Sequence, residues 1–258
     1  MKLVMNKRIG ERRLFLLLAS RRVRHRPSAV ELTLVCAAAA AAASLTHRIG
    51  RRSGATDEET DAVLPGDDLV SHPLWESTRA ITIHAPVEAV WPWIVQMGFP
   101  THRAGWYTPY VLDRLTFGIR ERSAEQLRPE LQELNVGDRV PDSADWSVYF
   151  TVAEVDAPYG LVLHSTRHLI KPFRTIDFSW AFVLRECEGA KTRLFIRARA
   201  RYTPSWARPF AALVLGPGDF VNASGMLRGI KRRAEGRPAA SSPGGQFGSK
   251  TRVPAVSE

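Results

Sequence analysis

Thr175 to Tyr202 reads TIDFSWAFVLRECEGAKTRLFIRARARY, and its alternation decides the fold. Ile176, Phe178, Trp180, Phe182 and Leu184 fall on one side of an extended chain, and Thr175, Asp177, Ser179 and Ala181 on the other. After a turn at Cys187-Glu188-Gly189 the pattern resumes. Leu194, Ile196, Ala198, Ala200 and Tyr202 face one way, and Arg193, Arg197, Arg199 and Arg201 the other. Period two over two long runs predicts an antiparallel pair with one apolar face. The arginine row is expected to solvate the outer face, with Asp177 solvated or paired with an arginine such as Arg197.

The same grammar extends outward. Leu161–Thr166 and Val148–Val155 read as strands, separated by the Pro158-Tyr159-Gly160 turn and preceded by a Gly137-Asp138 turn. Arg79–His84 is a first strand, with Ile81 and Ile83 on one side. Pro86 then opens a helix over Val87–Met97, which Pro92 should kink or divide. Short helices are expected over Pro109–Leu115 and Ala124–Leu134. Residues 57–77 hold Pro65-Gly66 and His72-Pro73 and read as an extended lead-in. An apolar sheet face needs a cover. Pro209–Glu235 supplies one: a long helix, interrupted at Gly216-Pro217-Gly218, with Phe210, Leu213, Val214, Phe220, Val221, Met226, Leu227 and Ile230 as contacts. Strand, helices, a run of antiparallel strands and a final helix predict an α+β helix-grip fold, with a curved sheet wrapped around the C-terminal helix and an apolar cavity between them.

Charge divides the chain of 258 residues. Its formal +10 arises because residues 1–56 carry twelve basic and two acidic side chains, 57–225 carry 17 and 22, and 226–258 carry seven and two. The middle is mildly acidic, which argues against nucleic acid as a partner. Apolar residues make up 45%, enough for a core. Cys36 and Cys187 are too few and too distant for a disulfide framework or a cysteine metal site. A catalytic Cys187 lacks an activating cation beside it.

Residues 29–45, AVELTLVCAAAAAAASL, lie between arginine-rich flanks and contain a single charge, Glu31. Three readings stand: a single membrane anchor, a cleavable signal peptide, or a soluble extension preceding the folded part. On the first, nine Lys and Arg before the run against three after it keep the N-terminus in the cytoplasm. The chain is then membrane-associated through this one segment, and otherwise cytoplasmic. Gly236–Glu258 is rich in Gly, Pro, Ala and Ser and is expected to be a disordered tail.

Four stretches carry a family resemblance: TRAITIHAPVEAVWPWIVQMG at 78–98, RAGWYTPYVLDRL at 103–115, LQELNVGDRVP at 131–141 and GMLRGIKRRAE at 225–235. Together they resemble the START-like SRPBCC superfamily, which includes polyketide cyclases and lipid-transfer proteins. The likeness spans roughly 54–235, with the domain proper at 78–235. It implies a cavity for a hydrophobic small molecule or lipid. Contact with a membrane surface is expected only through the N-terminal segment, and no cofactor is expected.

No phosphate loop, GxGxxG, HExxH or Gly-x-Ser-x-Gly pattern occurs. His164 and His168 lie four apart on a strand-to-loop run, with no ligand partner near in sequence, so no metal site is expected. Trp106 and Tyr107, after Gly105, are candidate ligand contacts; the plain alternative is that they plug the core. Arg103 is a candidate for a ligand carboxylate, and Trp180 is a cavity-wall candidate on the apolar face. A binding module is favoured over an enzyme. Were the chain a cyclase or dehydratase acting on a polyketide-like or steroid-like substrate, Tyr107, His102 or His164 would supply acid/base catalysis. A third reading is an adaptor with a filled core.

Overall fold

The computed structural model describes residues 28, 30, 33–34, 50, 52–168, 175–203 and 216–236. The chain divides into two units, Met1–Ala43 and Ser44–Glu258. In the first, Ser28, Val30, Thr33 and Leu34 are described, the last three helical. Most of the 29–45 anchor segment lies outside the described residues, as do the 237–258 tail and Phe210, Leu213 and Val214 of the expected final helix. Among the described residues no helix is long and apolar enough to cross a membrane.

Among its described residues the second unit holds six strands and four α-helices. The strands are β1 Trp75–Ile83, β2 Arg139–Pro141, β3 Tyr149–Asp156, β4 Gly160–His168, β5 Thr175–Cys187 and β6 Lys191–Thr203. The helices are α1 Asp57–Asp61, α2 Val87–Val95, α3 Tyr110–Phe117 and α4 Gly216–Ala234. One antiparallel sheet runs β1-β6-β5-β4-β3-β2. Its longest ladder joins β5 to β6, from Thr175 opposite Thr203 to Cys187 opposite Lys191. The architecture is α+β helix-grip.

The inner face buries Ile83, Phe150, Leu161, Leu163, Phe182, Leu194 and Ile196 against Val90 and Ile94 of α2 and Met226, Leu227 and Ile230 of α4. Fully burying one such side chain contributes about 1.5–3 kcal/mol. This layer is therefore the main source of stability.

Three expectations are corrected. The helix over 124–134 is a single 3-10 turn, Pro129–Leu131. Arg128 precedes a proline and is held extended at φ −109°, ψ 108°, which stops a helix there. The lead-in 57–77 contains α1, begun by a capping box in which Thr56 and Glu59 exchange hydrogen bonds; β1 begins at Trp75. Pro92 leaves α2 undivided; the described part of the expected final helix runs from Gly216, and the residues before that point lie outside the described residues.

The arginine row does not simply solvate the outer face. Arg197, 3% exposed, donates to Thr78 Oγ1, the Ala62 and Thr60 carbonyls and Asp67 Oδ2. Arg193 forks onto both oxygens of Glu59. Arg199 pairs with Asp67 and Glu76. These side chains strap residues 54–67 across the sheet, and Leu64 packs there on Ala80, Val162, Ala181 and Phe195. Asp177 pairs with His164 and Arg201, not Arg197.

Candidate functional site

A cavity of about 620 Å³ opens between the inner face of β3–β5 and the start of α4. Phe150, Phe178 and Trp180 come from the strands, Trp106 from the loop after α2, and Asn222 and Ala223 from α4. Exposed Gly118 and Arg120, just past α3, stand at its rim with Glu121. Its wall is a stack of rings. Trp106 lies 5.3 Å from Trp180 and 6.0 Å from Phe150, and Phe150 lies 5.7 Å from Phe178.

Two of the four expected ligand contacts, Trp106 and Trp180, line this space. Tyr107 does not: it is 1% exposed and plugs the core, its hydroxyl oxygen accepting from the Gln96 amide at 2.9 Å. Burial pushes its phenol well above the ordinary value. The Gln96 hydrogen bond and the Arg233, Arg103 and Arg128 charges pull only part of the way back. Arg103 is not a cavity residue either. It donates to the carbonyls of Val95 and Met97, both at 2.6 Å, and so satisfies the end of α2.

The histidines proposed for acid/base work stand elsewhere. His102 contacts the Ala144 carbonyl through Nε2 and stacks on Trp146, 5.0 Å away. His164 lies on the outer face, sharing its side of β4 with Val162, and pairs with Asp177 at 2.8 Å. A carboxylate does orient it, on the wrong side of the sheet for the cavity.

The histidine the cavity does hold is His168. Simple alternation would place it beside His164, on the outer face. The β4–β5 register slips between Ser165 and His168. One extra residue in a strand reverses which way the following side chains project. The His168 ring therefore lies 4.6 Å from Phe150 and 5.8 Å from Phe178. Its Nε2 is 3.0 Å from Asp142 Oδ2, one residue beyond β2. Both side chains line the cavity. Among the described residues no group of three metal-ligating side chains forms.

Two other carboxyls border the space. Asp113 on α3 accepts the Thr108 hydroxyl, and burial raises its pKa more than that bond lowers it. Asp219, in the first turn of α4, faces Arg79 at 2.5 Å; its pKa is raised by burial against the pull of that guanidinium. An aromatic box with a few fixed polar groups is the usual composition of a small-molecule site.

This combination defines the class by its architecture: an α+β helix-grip domain with a cavity walled by aromatic rings. No family model and no curated protein matches the chain. Among solved structures it is similar to a hypothetical protein of Helicobacter pylori, at 10% identity over 67% of this chain and 95% of that one, with a TM-score of 0.44. It is also similar to a protein of Mycobacterium smegmatis, at 18% identity over 60% and 88% with a TM-score of 0.37. A third is the Zhui aromatase/cyclase of Streptomyces sp. R1128, at 16% over 62% and 93% with a TM-score of 0.34. Likeness at this level carries no argument about chemistry. The architecture rests on the strand order and α4.

Proposed function

We propose that this protein binds a hydrophobic small molecule or lipid in the cavity between its sheet and α4. The observation that carries the reading is the cavity of about 620 Å³ walled by Trp106, Phe150, Phe178 and Trp180. A space of that size is in the range that encloses a drug-sized ligand. A filled core would have favoured an adaptor.

A second reading has one observation behind it. His168, oriented by Asp142, sits in the cavity wall, as a general base would. A cyclase- or dehydratase-type reaction would run through this pair in place of Tyr107, His102 or His164.

Native mass spectrometry of protein purified without detergent from its own host tests the binding reading. An apolar adduct released on denaturation is the expected result. Ligand-free protein that also fails to take up naphthalene-sized probes would sink it.

The membrane contact proposed for the N-terminal segment is tested by deleting residues 1–43. Deleting 1–56 would also remove Gly50, whose carbonyl accepts from buried Arg79, and Gly54, whose carbonyl accepts from Arg193. Loss of co-sedimentation with vesicles is expected for the shorter deletion. Undiminished co-sedimentation would rule that role out.

A further inference from the structure

The helix α3 exposes what a helix packed on a core ordinarily hides. Its buried charge is Asp113, which lines the cavity and accepts the Thr108 hydroxyl. Val111 and Leu115, one turn apart on a single face, are 62% and 80% exposed. A surface helix normally places its apolar and charged side chains the other way round. One exposed apolar side chain is ordinary, but this pair continues onto α4. Pro109, the residue before α3, meets α4 at Gly225, and exposed Val221 lies one turn before that contact on the same face.

The charge around these three side chains is one-sided. Arg114, Arg120 and Arg122 are exposed beside α3, and Arg228 is exposed three residues past Gly225. Within 109–122 and 216–228, Glu121 is the one exposed acid among the described residues. Residues 57–225 as a whole carry 22 acidic against 17 basic side chains, so the excess of arginine is local to this face. Arg120 also stands at the rim of the cavity.

Two occupants could cover such a face, and the charges choose between them. A second copy across a two-fold axis would set arginines against arginines. The boundary of an anionic bilayer suits it better: the aliphatic side chains enter the edge of the acyl layer while the arginines stay among the headgroups.

We propose that α3, together with Val221, docks the mouth of the cavity on an anionic lipid surface. This rests on the membrane contact proposed above for the N-terminal segment. Three short aliphatic side chains bury less than a myristoyl chain, which by itself binds membranes only marginally. The α3 face therefore orients a domain that residues 1–43 bring to the surface, and it does not replace them.

The test uses the full chain with Cys36 and Cys187 changed to serine. It carries one polarity-sensitive nitrobenzoxadiazole dye, at Leu115→Cys or, as the control, at Val63→Cys. Val63 is 88% exposed on the strap over the outer face of the sheet, away from the cavity. Phosphatidylcholine vesicles are offered with and without phosphatidylserine. With phosphatidylserine, emission from position 115 should shift to the blue and brighten, while position 63 stays in water. Changing Arg114, Arg120 and Arg122 together to glutamine should weaken docking about a hundredfold, at about fivefold per charge. The shift is then lost although the chain still co-sediments.

A chain that co-sediments with both dyes remaining in water overturns this inference alone. Equal shifts at positions 63 and 115 overturn the orientation. A shift at position 115 that needs no phosphatidylserine, or that survives the triple variant, overturns the anionic partner. A shift without vesicles that grows with protein concentration overturns the lipid partner and assigns the face to a second copy. A full chain that does not co-sediment overturns both this inference and the membrane reading beneath it.

Discussion

A Cβ atom placed on Gly229 would stand 2.1 Å from the Tyr107 carbonyl oxygen. Four residues earlier on the same face of α4, one placed on Gly225 would stand 2.6 Å from Pro109 Cδ. The helix thus meets the 107–109 loop backbone to backbone, and Arg233, one turn on, lies 4.5 Å over the Tyr107 ring. Two of the stretches that carried the family resemblance, RAGWYTP and GMLRGIKRR, are in contact.

Alanine is favoured over glycine inside helices by about 1 kcal/mol. Here the sign reverses. Gly229→Ala must push backbone away from backbone and should cost about 1–3 kcal/mol, the usual range for overpacking. Gly218→Ala, with nothing within 4 Å of its added methyl, is the control and should be neutral or slightly stabilising. Urea midpoints of the two variants decide it. A Gly229→Ala protein as stable as its parent would show that the contact yields without cost.

The contact also marks where sequence reading stopped. Alternation placed the main strands and their faces because period two is a local property. It could not place His168, which lay past the expected strand end at Thr166, because the register slip that turns it inward depends on what the neighbouring strand pairs with. The 124–134 segment looked helical through its spacing, and only the Arg128-Pro129 junction spoke against it. The outer arginines looked like a solvated row because nothing in their own strand shows that Asp67 and Glu59 return to cover them. Tyr107 was ambiguous for a similar reason: its partner, Gln96, is the residue that closes the end of α2, eleven positions earlier. Asp142, the partner of His168, was not picked out at all. It is one carboxylate among many in a loop, and its position matters only after the strand slips.

Tyr107 should make the protein sensitive to alkali. In the unfolded chain a tyrosine ionises near pH 10, whereas burial holds the folded phenol neutral well above that. Above pH 10 the folded state then binds more protons than the unfolded one. Stability must fall as pH rises, by up to about 1.4 kcal/mol per pH unit from this group. Tyr107→Phe, which strips the Gln96 amide of its partner oxygen, should cost about 1 kcal/mol at pH 7. It should also have a shallower decline between pH 10 and 11, so the two curves converge. Parallel stability–pH curves would exclude Tyr107 as the source.

The outer strap should open when Arg197 is removed. Its guanidinium satisfies carbonyls on both sides of the α1 C-terminus and pairs with Asp67. Arg197→Met keeps the aliphatic stem but abandons those groups. We expect protease cleavage within 54–70 while the β5–β6 ladder stays protected in hydrogen exchange. Acid should loosen the same segment. Arg193 holds the Glu59 carboxyl below its ordinary value, so the contribution of that pair is present above about pH 4.5 and disappears as pH falls through the lowered value. A strap equally resistant in the variant and the parent would mean that Leu64 and its apolar neighbours suffice to hold it.

Arg79 and Asp219 supply the sharpest test of how the cavity end is held. Arg79 lies on the inner face of β1, 1% exposed, and its guanidinium reaches Gly50, Ser77 and Asp219. Removing one member of a buried ion pair leaves the other uncompensated and typically costs about 3–5 kcal/mol, whereas replacing both by apolar groups is often neutral. Asp219→Leu alone should therefore be strongly destabilising. The double variant Arg79→Met with Asp219→Leu should recover most of the loss, giving a coupling energy of several kcal/mol in a double-mutant cycle. Asp219 also borders the ligand space, so the two outcomes separate structure from binding. If the pair only supports α4, the double variant binds apolar probes as the parent does. If the double variant is stable and does not bind them, the carboxylate belongs to the site. If Asp219→Leu alone is close to neutral, Arg79 is held by its other partners, Gly50 and Ser77, and the ion pair is incidental to the fold.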